Sequence, residues 1–236
     1  MIPAYNEEAR LPPTLDSFLS HFRQRGEPFE IIVVSDGSTD GTARVVKERI
    51  KSAPELHLIE QSPNQGKGAA VKTGLLAARG DIWLFSDADE STPADDFESL
   101  KSALDAGADF VMGSRAIRGA KLEVRQSLPR ELLGRCFNLV VRLILWVPFH
   151  DTQCGFKAFR ARTMRPVIER LQTPHFGFDF EIVHRTQKAG LKIAEVPVRW
   201  RDRAGSKVNV LRDGIIMVMS LFRVRRLVAR DLRGGT

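Results

Sequence analysis

Two cysteines in 236 residues, Cys136 and Cys154, make no metal-binding pattern and no disulfide framework. Reduced thiols in a cytosolic setting are the expectation. The N-terminus lacks a charged segment followed by an apolar one, so no secretory signal is expected. No stretch reaches the ~20 uninterrupted apolar residues that a spanning helix needs. Internal repeats and low-complexity tracts are absent. The GxxxxGK[ST] spacing of a Walker loop is missing, and no GxGxxG follows a strand, so a dinucleotide Rossmann reading has no support. Tyr5 is the single tyrosine, and the fourteen phenylalanines sit mostly inside apolar runs rather than on a basic stacking surface. That argues against a nucleic-acid-binding module and leaves no nucleic acid among the expected partners.

What is there describes an ordinary globular chain, with 43% hydrophobic and 28% charged residues. The length suits one large domain or a domain with an appended region. A formal charge of +7 calls for an acidic partner: nucleic acid, anionic lipid or a phosphate-bearing substrate. Much of the excess is terminal, because Arg223, Arg225, Arg226, Arg230 and Arg233 face Asp231 alone after residue 222.

Strands and helices alternate along the chain. Only two residues precede Pro3, fewer than a first strand wants, so the stated start is expected to be late or clipped. Apolar Leu11, Leu15, Phe18, Leu19 and Phe22 mark a helix over 8–25, closed by Gly26 and Pro28. Strands are expected at 29–34, 56–60, 82–85 and 109–112, with helices at 42–51, 69–78 and 95–105 between them. Such alternation predicts βαβ units, a parallel sheet and right-handed crossovers. In open sheets of this kind, ligands bind outside the carboxyl ends of the strands.

Three expected strand ends carry polar turns: Asp36, the pair Asp87 and Asp89, and Arg115. Asp-x-Asp suits a hard divalent cation that in turn holds a diphosphate; equally, it suits a solvated acidic turn. Gly66-Lys67-Gly68 opens a helix with unobstructed N–H groups and one cation, a phosphate site or an ordinary tight turn. Asp36 reads as a helix cap or as an acceptor for a base or ribose proton. Arg115 reads as a surface arginine or as a cation for a polyphosphate substrate.

Five segments occur in this order: Pro3-Ala-Tyr-Asn-Glu7, Ser35-Asp-Gly-Ser-Thr-Asp40, Asn64-Gln-Gly-Lys-Gly68, Asp87-Ala-Asp89 and Gly113-Ser-Arg115. The set resembles the inverting family 2 glycosyltransferases, specifically the polyprenyl-phosphate (dolichyl-phosphate) sugar synthases. Further on, Asp151-Thr-Gln-Cys-Gly-Phe-Lys157, Phe178-Asp-Phe-Glu181 and Gly205-Ser-Lys207 resemble the dolichyl-phosphate β-glucosyltransferase branch. The similarity covers nearly the whole chain. Two departures stand out: the usual strand before Pro-Ala-Tyr-Asn-Glu is missing, and Ser35 stands where many relatives have a further aspartate.

The resemblance implies an α/β fold of the GT-A, Rossmann-like kind, with a mostly parallel sheet flanked by helices. It divides the chain into a nucleotide-sugar half, 1–128, and an acceptor half, 129–207, followed by an amphipathic helix and basic tail, 208–236. It further implies Mg²⁺ or Mn²⁺ on Asp87 and Asp89, with a nucleotide diphosphate sugar, UDP-glucose favoured, as donor. Pro3, Ala4, Tyr5, Glu7, Asp36, Lys67 and Asp87 would hold that donor. Dolichyl or polyprenyl phosphate would be the acceptor, held by Arg115, Arg130 and Lys207.

Residues 131–147 are apolar but broken by Gly134, Arg135, Asn138 and Arg142, and at this length suit an interfacial helix or a buried core helix. The stretch 208–227 repeats the theme and runs into clustered arginines, which attract anionic lipid. Two C-terminal interfacial amphipathic helices, an anionic membrane surface as partner and a peripheral or monotopic place on its cytoplasmic face follow as expectations. Asp179 and Glu181 open an expected helix at 178–188, where acids complement the helix dipole; in family 2 enzymes an acid near this point serves as base for hydroxyl acceptors. A lipid-phosphate acceptor makes that role for Asp179 doubtful. The alternatives are a mannose-specific synthase, a family 2 enzyme with a hydroxyl acceptor, a basic nucleic-acid-binding protein and an inactive sugar-nucleotide sensor.

Overall fold

The structure, a computed structural model, describes residues 1–124, 128–203 and 210–233. Its strands are β1 (Ile2–Ala4), β2 (Ile31–Asp36), β3 (Leu56–Gln61), β4 (Ile82–Ser86), β5 (Phe110–Ser114), β6 (Lys121–Val124), β7 (Phe156–Arg160), β8 (Ile193–Pro197) and β9 (Arg199–Arg201). Its helices are α1 (Leu11–Arg25), α2 (Thr42–Ile50), α3 (Lys67–Ala77), α4 (Phe97–Asp105), α5 (Leu128–Leu145), α6 (Ala161–Glu169), α7 (Phe178–Lys188) and α8 (Val210–Arg233). The β-branched run Ile31–Val34 forms the first four residues of β2, buried at every position as a strand covered on both faces must be. Gly26 ends α1 in the left-handed conformation at φ 69°, where a side chain would be strained.

β1, β2 and β3 pair in parallel, with Ile2 opposite Val33 and Val33 opposite Leu58. A second group runs β4-β7-β5-β8, and Ser86 N–H donating to the Met1 carbonyl (3.1 Å) joins β4 to the β1 edge. The pairing is mostly parallel, as expected, with one antiparallel strand. β7 lies antiparallel between β4 and β5, with Phe159 opposite both Trp83 and Phe110. The chain reaches β7 after an excursion through β6 and α5, so it is not bound by the right-handed crossover that keeps βαβ strands parallel. Phe110 and Phe159 stack at 4.8 Å, fixing the register.

The alternating stretch from Leu191 to Trp200 forms two strands rather than one. β8 pairs with β5 and β9 with β6, and Pro197, which has no N–H for a ladder, marks the break. Val198 serves both sides: its N–H donates to Ser114 O (3.2 Å) and its carbonyl accepts from Lys121 N (3.1 Å). α6 and β6 were not foreseen. Pro166 interrupts the helical signal of α6, whose Met164, Val167 and Ile168 nevertheless share a buried face.

One apolar core lies under α1, α2 and α4, the other under α3, α5, α6, α7 and α8. Each large side chain in them, such as Leu15 or Phe85, contributes about 1.5–3 kcal/mol by leaving water. The sheet is thereby held between two helical layers, and its carboxyl-end tips are left open.

Candidate active site

Strand β4 ends in Ser86, and the next residue, Asp87, turns into the cleft. Its N–H donates to the Gly155 carbonyl (3.0 Å) at the entry to β7. A Cβ at position 155 would lie 1.9 Å from Asp87 Oδ2, so glycine there leaves room for the Asp87 carboxylate. Lys67, the first residue of α3, donates from Nζ to Asp87 Oδ1 at 2.6 Å. The ammonium also lies 5.5 Å from the Phe85 ring centre and 6.0 Å from those of Phe176 and Phe178. Burial works against its charge, but Asp87 and Asp179 outweigh burial and raise its pKa. Asp89 accepts the Ser91 N–H at 3.0 Å, and its second oxygen lies 3.7 Å from Arg10 Nη1.

Asp36 is turned inward. Its two oxygens accept the N–H groups of Gln65 (2.8 Å) and Gly66 (2.7 Å). Gly66 has φ 98°, a conformation that disfavours a side chain, and a Cβ there would collide with His175 and the Pro174 carbonyl. Asp36 thus pins the loop that presents Lys67. Glu7 grips Arg10 through two hydrogen bonds, Nε to Oε2 at 2.7 Å and Nη2 to Oε1 at 2.5 Å, and so aims Arg10 toward Asp89. Asn6 accepts the Thr39 N–H (2.8 Å), lacing the 3–7 segment to the turn after β2. Pro3 and Ala4 are buried in β1, and Tyr5 is exposed at its end.

Arg115 follows β5. Asp151 holds it by three bonds: Nε to Oδ2 (2.6 Å), Nη2 to Oδ1 (2.8 Å) and the Arg115 N–H to Oδ2 (3.0 Å). Burial would favour the neutral forms of both groups, but their mutual attraction dominates, raising Arg115 and lowering Asp151. The guanidinium lies 5.4 Å from the Trp200 ring centre. Asp179, 4% exposed in the first turn of α7, accepts Lys157 Nζ at 2.5 Å. Burial raises its pKa, with Lys157 and then Lys67 opposing. Arg130 belongs to α5, but its side chain lies outside the described residues, and Lys207 lies wholly outside them.

Lys67, Asp87, Asp89, Arg115 and Asp179 meet in one cleft of about 500 Å³, whereas Pro3, Ala4, Tyr5, Glu7 and Asp36 are not among its lining residues. The first five line its polar part; Leu133, Phe137 and Val140 of α5 with Met217 and Val218 of α8 line an apolar part.

A sequence profile described as "Glycosyl transferase family 2" matches residues 1–165. The chain belongs to glycosyltransferase family 2. Among curated relatives, a dolichyl-phosphate beta-glucosyltransferase of Drosophila melanogaster is 37% identical over 95% of this chain and 73% of its own length. The Homo sapiens protein of the same name is 33% identical over 95% and 74%. Among solved structures, glucosyl-3-phosphoglycerate synthase of Mycobacterium tuberculosis, in complex with Mn²⁺, UDP-glucose and phosphoglyceric acid, superimposes with a TM-score of 0.65 at 22% identity, covering 97% of this chain and 77% of that one. Mannosyl-3-phosphoglycerate synthase of Rubrobacter xylanophilus gives 0.69 at 20% identity, over 99% and 73%. The fold is that of the GT-A glycosyltransferases.

Among the described residues no cluster of three or more His, Cys, Asp or Glu side chains stands ready to enclose a metal. Asp87 and Asp89 nonetheless offer hard oxygens at the tip of β4. Such a pair suits Mg²⁺ or Mn²⁺, which take much of their coordination from water and phosphate. Fit and chemistry agree.

Four residues of this family 2 site carried no role from sequence alone: Arg10, Asp151, Lys157 and Trp200. Lys157 left no signal, because side chains alternate along a strand and a lysine between Phe156 and Ala158 reads as facing solvent; only the structure shows it buried and paired with Asp179. Asp151 was marked only as the first residue of a segment that carries the family resemblance, and nothing local names its partner, which lies 36 residues away.

Proposed function

We propose that this family 2 enzyme transfers glucose from UDP-glucose to a dolichyl or polyprenyl monophosphate, inverting the anomeric carbon, at the cytoplasmic face of a membrane. One observation carries the reading: a single cleft joins a charged end, suited to phosphates, to an apolar end between α5 and α8, suited to a lipid chain. The names of the relatives point to the same acceptor and sugar.

In this reading Asp87 and Asp89 hold Mg²⁺ or Mn²⁺, which neutralises the charge that grows on the leaving diphosphate. Lys67 adds a second positive charge on the same side. Pro3, Ala4, Tyr5 and Glu7 wall the nucleoside, and Asp36 shapes that wall through the loop it pins. Arg115, Arg130 and Lys207 hold the acceptor phosphate. A phosphate monoester has its second pKa near ~6 and is mostly dianionic at neutral pH, so it needs positioning more than deprotonation. Asp179, already engaged by Lys157, is not required as a base. Among the described residues no helix is long and apolar enough to cross a membrane, so the exposed faces of α5 and α8 make the contact with the lipid surface.

The purified protein incubated with membranes and labelled UDP-glucose or GDP-mannose in parallel should yield labelled lipid from UDP-glucose and metal only. Asp89→Ala should lower that transfer by about a hundredfold or more; activity within a few-fold of the parent would sink the metal role. Asp179→Asn takes the charge partner from Lys157 and should lower the melting midpoint, but the protein that stays folded should transfer to the lipid phosphate within a few-fold of the parent, whereas a hydroxyl acceptor would need that carboxylate as base.

A further inference from the structure

A guanidinium on a flexible side chain is a poor phosphate receptor unless something fixes its direction, because ordering a long side chain has an entropic cost. Arg115 is fixed on two sides. The Asp151 carboxylate occupies the Nε–Nη2 edge and also takes the Arg115 backbone N–H. Trp200 covers one face of the same group. The fork has five N–H donors and Asp151 takes two, so Nη1 and one hydrogen of Nη2 remain for something else. Arg115 itself lines the cleft beside Asp87 and Asp89.

Asp151 is held in turn. Glu195, on β8, accepts the backbone N–H of Asp151 at 2.8 Å and that of His150 at 3.0 Å. A buried carboxylate, Asp151, is thereby backed by a partly buried one, Glu195, the first bound to an arginine and the second to backbone donors and the His150 ring (Nδ1 to Oε2, 3.2 Å). β8 lies directly beside β5, with Gly113 opposite Val196 and Ser114 opposite Pro197. The strand carrying Arg115 and the strand carrying Glu195 are therefore rigidly related, and the 150–151 turn is clamped between them.

We infer that Asp151, backed by Glu195, is a positioning residue that aims the open edge of Arg115 at the phosphate of the acceptor. The inference rests on the acceptor reading of the cleft given above and adds to it the group that makes Arg115 selective. An arginine aimed by a fixed carboxylate presents a fork to the planar pair of phosphate oxygens. The carboxylate also offsets part of the charge, so the free enzyme does not bury a lone cation. Asp151 acts on the acceptor and leaves the donor to Lys67, Asp87 and Asp89.

The test is a double-mutant cycle on the full chain, with UDP-glucose, Mn²⁺ and a short-chain polyprenyl phosphate in detergent as substrates. Donor and acceptor KM and kcat are read separately, with the thermal midpoint as a check on folding. Arg115→Ala and Asp151→Asn should each raise acceptor KM by about tenfold or more, with donor KM unchanged within about twofold. Glu195→Gln should move acceptor KM in the same direction by about threefold. In the double variant, Asp151→Asn should add little to Arg115→Ala, because a positioning residue has nothing left to position. If Arg115→Ala raises acceptor KM and Asp151→Asn does not, or if the losses add in full, the positioning role is wrong and the acceptor reading stands. If Arg115→Ala leaves acceptor KM unchanged, the acceptor reading fails and this inference with it.

Discussion

A methyl group at position 155 would fall 1.9 Å from Asp87 Oδ2, so Gly155→Ala must push that carboxylate aside. The displaced atom is the end of a side chain, and the strand behind it can stay in place. A misplacement of about 1 Å at a reacting centre can cost on the order of a hundredfold in rate. The expected outcome is a fall in turnover of about tenfold or more with a melting midpoint within a few degrees of the parent. Activity assays beside thermal denaturation check it. His184 governs stability rather than turnover. Burial, aided by Lys188, Arg225 and Arg185, lowers its pKa from 6.5 to about 4. The unfolded chain therefore binds a proton that the folded chain refuses. Stability from this residue is complete above about pH 6.5 and is lost as pH falls toward 4, on the order of 3 kcal/mol in all. Urea midpoints of the parent and His184→Gln across that window should show a shallower pH slope in the variant.

Helices α5 and α8 pack together and leave apolar side chains on the outside. Leu132, Leu139, Leu143 and Trp146 follow one another at spacings of seven, four and three along α5 and its end, so they share a face. Leu143 is 66% exposed and Trp146 77%. The Trp146 carbonyl accepts Gln187 Nε2 (3.0 Å), anchoring the turn that presents the indole. α8 adds exposed Met219 and Phe222 beside exposed Arg223, Arg225 and Arg226. Apolar side chains with basic neighbours suit the boundary of an anionic bilayer, each arginine contributing about 1 kcal/mol. Trp146→Ala should weaken binding to phosphatidylserine vesicles by about tenfold. Transfer to a short-chain acceptor in detergent should stay within twofold, because the indole is remote from the charged end of the cleft. Vesicle sedimentation and the transfer assay decide it.

The sheet carries a charge through its centre. Lys157 is 0% exposed on β7, and its ammonium donates to the Cys154 carbonyl and to Asp179, both at 2.5 Å. The pair ties the sheet to α7 beneath the cleft. Removing one partner strands a buried charge, so Lys157→Met should destabilise the fold by about 3–5 kcal/mol. Lys157→Met with Asp179→Leu should recover much of that loss, because an apolar pair replaces an ionic one. Denaturant midpoints at unchanged slope measure both.

Most segments of strand and helix were legible from residue order, β6 and α6 apart, as were the tips that bear Asp87, Asp89 and Lys67. Apolar runs and helical spacing are local, and β2 or α7 must bury the same side chains whatever lies beside them. Direction and partnership were not legible. Nothing in Phe156–Arg160 says that β7 runs against its neighbours, since pleat and burial are alike for either direction. Asp36, Arg115 and Asp179 could be recognised as charges near strand or helix ends. Whether each faced substrate, a loop or another charge was decided by chain segments 22 to 36 residues away. A buried charge must find a counter-charge or a donor, and only the packed sheet brings one within reach.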